Sequence, residues 1–292
     1  MTAATLEAPV LRPAVLRPLV VREMRRYASR PLFLVGALLV VVSCLGGPDA
    51  VSSSLMNVVV PAAAIGLLGV VVMASLTRRS GQLRESAGVP PVPERAQTVA
   101  LAWSAAVPFA VGLAWFAWAS LTYHQQPPTA AGYPFGDAPT GWAPAVLFGC
   151  GAMSTLGGPL LGLLLGRWWP RRSVAIVVSV VLVAAAIVMQ GLVAPLRGVR
   201  TFMPFTYWGG PFGVEGDDMR ALMFPGSPQW WVVYLAGLCG LCVVGALWHD
   251  PGARSRRLRL VALSLVVLTV VACLLSALTG LDHTLVNPVP TR

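Results

Sequence analysis

Apolar residues run along this chain in long stretches rather than in the strict alternation of half-buried strands, and Gly, Pro and Arg punctuate them. Seven runs separate in this way: Leu32 to Gly47, Leu55 to Leu76, Thr98 to Leu121, Trp142 to Gly166, Ser173 to Val193, Trp230 to Trp248 and Leu260 to Gly280. A helix needs about 20 apolar residues to cross the ~30 Å hydrocarbon layer of a membrane, so the pattern predicts transmembrane helices. The first run, held between Pro31 and Gly46-Gly47-Pro48, is the shortest and must borrow from its flanks or stand nearly upright. The predicted fold class is an all-α integral membrane protein. It is a polytopic bundle of about seven transmembrane helices, or six if one run is re-entrant or interfacial. Residues 1–292 form a single transmembrane domain, divided into a cytoplasmic or interfacial segment at 1–31, the bundle at 32–280 and a tail at 281–292.

Before the first run the pattern changes to a one-faced one. At about 100° per residue, Leu16, Leu19, Val20, Met24 and Tyr27 share a face while Arg17, Arg22 and Arg25 lie elsewhere, as in a helix resting on a membrane surface. The arginines continue to Arg30 with no small-residue cleavage pattern after the first run, so this is not read as a signal peptide. Glu23 falls inside the apolar face. It either pairs locally with Arg26 or Arg30, as i,i+3 partners do on helices, or reaches a partner in the next cytoplasmic loop.

Arginine also sets the orientation, because basic loops are retained in the cytoplasm. Arg78, Arg79, Arg84 and Arg95 fall in the second connection, Arg167, Arg171 and Arg172 in the fourth, and Arg254, Arg256, Arg257 and Arg259 in the sixth. The first and third connections have none. The fifth, Ala194 to Gln229, carries Arg197, Arg200 and Arg220 but balances them with Glu215, Asp217 and Asp218. The alternation predicts a cytoplasmic N-terminus and, with seven spans, an external C-terminus.

Composition sharpens this into exclusions. The 292 residues are 56% hydrophobic and 11% charged, against about 25% charged in soluble domains, and the mean hydropathy is +0.73. All 21 basic residues are Arg, which with the abundant Ala, Gly, Val and Pro points to a high-GC bacterium and hence to a bacterial plasma membrane. Without Lys the chain can build neither the phosphate-binding P-loop nor a Schiff base. No HExxH, no GxSxG and no paired His ligands occur, and His124, His249 and His283 stand alone in separate connections. Neither a catalytic residue, a cofactor, a metal nor a nucleic-acid partner is expected.

The apolar runs carry no Asp, Glu or Arg near their centres, where ion-coupled carriers place ionisable groups. Asn57 and Gln190 are explained by interhelical hydrogen bonds. Cys239-Gly-Leu-Cys242 has redox spacing but lies mid-run, where free Cys acts as a small hydrophobe. Gly158, Gly162 and Gly166, four apart, make a flat stripe for a closely approaching helix, from this chain or from another. Pro61, Pro108, Pro144 and Pro159 lie within or near the starts of runs, where neighbours can satisfy freed carbonyls. Asp217 and Asp218 either recruit a cation or cap the stretch Met219 to Phe224.

The segment Val20 to Gly36, VVREMRRYASRPLFLVG, resembles the elbow helix of ABC-2-type exporter permeases, the small actinobacterial ones in particular. The long connection before the sixth run is similar to that family's extracellular re-entrant region, while the seventh run departs from its six-span pattern. The resemblance implies a permease subunit that exports a lipid, peptide or natural product. Its partners would be a separate ATP-binding subunit, a second permease subunit and membrane lipid. The loop Thr77 to Gln97 corresponds to the family's coupling-helix loop. Its helix-forming start, Arg78 to Ala87, makes Arg78, Arg79, Leu83, Arg84 and Glu85 the docking candidates, whereas the plainer reading leaves these arginines to fix topology and touch phospholipid headgroups. Arg22, Glu23, Arg25 and Arg26 belong to the elbow. The competing class is an accessory membrane protein or membrane-embedded enzyme with no transport role.

Overall fold

A computed structural model describes residues 13–45, 58–86, 92–125, 141–189, 202–203, 212–215 and 220–287. Helix α1 (Pro13–Ala28) meets α2 (Pro31–Leu45) at 67°. The bend falls at Ser29-Arg30, before Pro31, which has no N–H to continue the first helix's ladder. The chain returns through α3 (Val59–Pro61), a π-helical segment Ala62–Leu67 and α4 (Leu68–Ser86). Next come α5 (Glu94–Ser104) with α6 (Ala106–Gln125), and α7 (Trp142–Leu147), which runs through a second π segment, Phe148–Met153, into α8 (Ser154–Trp168). Helices α9 (Arg172–Ile187), α10 (Pro228–Trp248) and α11 (Arg256–Leu278) complete the bundle.

Five continuous helical stretches of the described residues are long and apolar enough to cross a membrane: 59–82, 94–123, 142–168, 228–248 and 256–278. With α2 and α9 these occupy the positions of the seven apolar runs, but α2 has 15 residues and α9 has 16. At 1.5 Å per residue the α-helical part of each covers roughly 22–24 Å, after which α2 meets residues outside the described ones and α9 continues as a π turn at 188–189. Exposed surfaces on both are apolar: Leu34, Leu38 and Val42 on α2, and Ile176, Val180 and Val181 on α9. Helix α11 likewise exposes Leu260, Leu263 and Val267, the outward surface of a helical membrane bundle.

The 142–168 stretch is the centre of the bundle, and small residues make that possible. Its stripe Gly158, Gly162 and Gly166 lies against the helix running from the first π segment into α4. A Cβ at Gly158 would fall on the Gly66 carbonyl, one at Gly162 on the Val70 carbonyl, and one at Gly166 would stand 2.7 Å from Thr77 Cβ. Backbone therefore meets backbone within this chain, the arrangement small-residue spacing permits. On the same two helices Pro159 Cγ would be 2.7 Å from a Cβ at Gly69. Pro61 and Pro144 sit in the first turns of their helices, where a missing N–H breaks no intrahelical bond. Above this seam Gly149 and Gly151 leave room for the fully buried rings of Trp231 and Trp115. Cys239 and Cys242 are buried in α10 as free thiols.

The helical bundle carries one short sheet at one end. Strands β1 (Phe212–Glu215), β2 (Arg220–Met223) and β3 (Leu285–Asn287) form an antiparallel sheet in the order β1-β2-β3. Phe212 pairs with Met223 and Glu215 with Arg220, while Met223 also pairs with Leu285. The stretch that the Asp217-Asp218 pair was expected to cap holds strand β2, while Asp217 and Asp218 themselves, like Asn57 and Gln190, lie outside the described residues. Strands of three or four residues leave no periodic signal, and β3 comes from the far side of two helices. Next to the sheet, Gly226 and Leu281 exchange backbone hydrogen bonds of 2.9 and 3.1 Å. Gly280, at φ 98°, passes so close to the Gly226 carbonyl that a side chain would not fit. The start of α10 and the end of α11 are therefore fastened together at one end of the molecule.

Candidate functional site at the arginine-rich end

The opposite end gathers the charges. Helix α5 begins at Glu94 directly after Pro93, α8 ends with Arg167 in its last turn, and His249 caps α10. An acidic group at a helix N-terminus and a basic one at a C-terminus each complement the helix dipole. Here all three also meet. Glu94 Oε1 is 2.8 Å from His249 Nδ1 and 3.6 Å from an Arg167 amino nitrogen. Arg167 is only 7% exposed, so the carboxylate supplies countercharge to a guanidinium withdrawn from solvent. The Trp168 ring stands edge-on to His249 at 5.5 Å, and its Nε1 donates to the Gly245 carbonyl at 2.9 Å. Arg254 Nε donates to the Trp248 carbonyl at 3.0 Å, closing the turn into α11. One carboxylate thus joins the ends of α5, α8 and α10.

In sequence His249 stands alone, and Glu94 and Arg167 are ordinary loop charges. The structure corrects that, and no local pattern marks a pair 155 positions apart. His283 also has a neighbour, Asp282, whose carboxyl is held below its usual range chiefly by the hydrogen bond from that imidazole.

In the elbow, Glu23 is 2% exposed and accepts from an Arg26 amino nitrogen at 2.9 Å, the local i,i+3 pair. Arg22 and Arg25 are exposed on the other side, beside Arg17 and Arg26 along a shallow groove. Tyr27 is fully buried against Phe33, with ring centroids 5.2 Å apart, and its hydroxyl points at Gly69 of α4. Helix α1 is held chiefly by α5. Arg30 titrates below the usual guanidinium range because of burial first and then of Arg79 and Arg26 nearby.

The loop from Thr77 to Gln97 is much shorter than the sequence suggests. Helix α4 continues without a break to Ser86 and α5 starts at Glu94, so Arg78 to Ser86 is the projecting end of a span rather than a separate helix. Propensity explains the continuity, since Arg78-Arg-Ser-Gly-Gln-Leu-Arg-Glu has no proline to stop it. Arg79 is exposed, on the side of Arg30. Arg78 is half-buried and turns the other way, into a cleft shared with α8 and α9. The side chains of Leu83, Arg84 and Glu85 lie outside the described residues.

Among the described residues no group of three or more His, Cys, Asp or Glu could hold a metal ion. Compared with protein-family models, with curated proteins and with solved structures, the chain matches none.

Proposed function

We propose that this chain is the membrane-spanning permease subunit of an ATP-binding-cassette exporter, moving a lipid, peptide or natural product while a separate subunit hydrolyses ATP. The observation that carries the reading is the elbow. A basic helix turns through 67° into the first apolar helix and is lodged by Tyr27 and by α5 against the bundle. A surface helix fastened to the bundle in this way can follow movements of the spans at the inner face.

In this reading the chain crosses a bacterial plasma membrane seven times with its N-terminus inside. The arginine-rich helix ends then face the cytoplasm, as the positive-inside rule requires. Helices α2 and α9 cross with Arg30 and Arg171 at their inner ends. The sheet holds the tail after α11 beside the connection before α10, so α10 and α11 form a pair that leaves from and returns to the same end. The projecting end of α4 gives an ATPase a rigid handle on the central seam.

Reconstitution tests the proposal. The purified chain is combined in proteoliposomes with a P-loop ATPase, taken from a gene adjacent to its own if one is encoded there. A stable complex whose ATP hydrolysis depends on this chain is the expected result. An ATPase that neither binds the chain nor changes its rate would leave the accessory-protein reading in its place.

A further inference from the structure

At the arginine-rich end, α4, α8 and α9 enclose a cleft of about 170 Å³. This is below the range of about 300–1,000 Å³ typical of sites for drug-sized ligands, and suits a headgroup phosphate with its first carbons. The inner wall is apolar, with Val71 and Ala74 from α4 and Leu165 from α8, and Ile176, exposed on α9, stands at its opening. The rim is basic: Arg78 from α4, and Arg171 and Arg172 where α9 begins. Among the described residues none of the three forms an ion pair. Arg78 and Arg172 repel one another across the gap. Like charges brought together beside apolar surface without a counterion constitute an electrostatic deficit that an anion would relieve.

Two further features fix the kind of anion. Helix α9 opens with no side chain capping its first N–H groups, which face the arginine-bearing turn. Trp169, exposed beside them, is the residue type that settles at headgroup depth. A soluble phosphate would satisfy the arginines and leave the apolar wall unused. A phospholipid satisfies both parts, and a net-anionic one adds no ammonium to a rim that is already cationic. Arginine's planar fork matches phosphate oxygens in pairs, so the geometry is selective as well as attractive.

We propose that this cleft binds the phosphate headgroup of an anionic phospholipid from the leaflet at the arginine-rich end, with Arg78, Arg171 and Arg172 holding the phosphate and the α4–α9 groove receiving the start of an acyl chain. The inference rests on the chain being embedded in a membrane and is independent of the exporter reading. It gives α9, a short helix leaning on α4 and α8, a lipid as part of its packing.

Lipid retention by the purified, detergent-solubilised chain tests it, with no ATPase present. Native mass spectrometry is used to titrate phosphatidylglycerol, cardiolipin and phosphatidylcholine in separate experiments. The two anionic lipids should bind at least about tenfold more tightly than phosphatidylcholine, and R78Q should weaken them about tenfold. R79Q removes the same charge from the adjacent residue, which faces away, and should leave binding within about twofold. Should R78Q misfold, R171Q/R172Q offers the same reading at two exposed positions, with a loss of more than about tenfold expected. Equal binding of all three lipids would overturn the proposal, as would equal losses in R78Q and R79Q. Displacement of the lipid by millimolar inorganic phosphate or glycerol phosphate would also overturn it, by showing a soluble phosphate to be the ligand.

Discussion

His249, at the end of α10, shares a hydrogen bond of 2.8 Å with Glu94, the first residue of α5, and the same Glu94 oxygen lies 3.6 Å from the Arg167 guanidinium. Arg167 is deeply buried at the end of α8. The two partners of the carboxylate differ in exposure: Arg167 is buried, while His249 is half-exposed.

Removing the charge should cost more than removing the imidazole. Glu94→Ala leaves a buried guanidinium undercompensated and is expected to destabilise the protein by about 2–4 kcal/mol. His249→Ala should cost about 1 kcal/mol, the size of one partly exposed hydrogen bond. Thermal unfolding in detergent micelles measures both. Equal effects would mean that the histidine, not Arg167, is the partner that matters.

A second expectation concerns the glycine seam. Gly162→Ala puts a methyl group onto the Val70 carbonyl, a backbone atom with no rotamer through which to escape, so an overpacking cost of about 1–3 kcal/mol or more is expected. Gly162→Leu should prevent the fold. Gly81, further along α4, has nothing within 4 Å of where a Cβ would stand, and Gly81→Ala should gain a few tenths of a kcal/mol from helix propensity. If Gly162→Ala melts with the wild type, the two helices are further apart than their backbones indicate.

What is legible in the residues and what is not divide along physical lines. Helices fall where the apolar runs lie, because the hydrocarbon layer imposes one length and one polarity on every crossing. The stripe at Gly158, Gly162 and Gly166 is visible for a similar reason: close approach excludes all but the smallest side chains. Its partner residues, Gly66, Val70 and Thr77, are not, since a stripe does not name the helix that covers it. The continuous helix through Ser86 is hidden because charge suggests the end of a span, whereas a helix can outrun its apolar part. Glu94, Arg167 and His249 each appear in sequence as an ordinary charge at a helix end, and only folding brings them together. The sheet gives no sign of itself because its pairing is between segments too short to carry a pattern.

The crossing number has a direct test. In a background with Cys44, Cys150, Cys239, Cys242 and Cys273 replaced by Ala, His283→Cys and Ser255→Cys sit in exposed positions at opposite ends of α11. An impermeant maleimide added to intact cells should label His283→Cys, and should label Ser255→Cys only after the membrane is opened. Labelling of both from one side would make α11 an interfacial or re-entrant helix and restore a six-span count.

The end of α4 carries the last expectation, which separates an ATPase handle from a purely topogenic loop. Arg78 and Arg79 lie on a helix that continues through Leu83, Arg84 and Glu85 to Ser86, and the same helix forms the glycine seam with α8 further up. Force applied to that end would pass into the centre of the bundle without a hinge. Among Arg78 to Ser86, Leu83 is the large apolar residue, the type that fills a pocket on a partner and dominates binding energy when it does. Leu83→Asp should lower affinity for the ATPase by at least about thirtyfold, corresponding to a loss of about 2 kcal/mol or more. Membrane insertion should be unchanged, because orientation follows Arg and hardly responds to acidic residues. Arg79→Gln alters charge and leaves the apolar contact, so it should weaken the complex less and mainly through the association rate. Measuring the affinity of purified Leu83→Asp for the ATPase, alongside the labelling pattern of the same variant, decides the matter: undiminished affinity with normal topology would return these arginines to fixing the orientation of the chain.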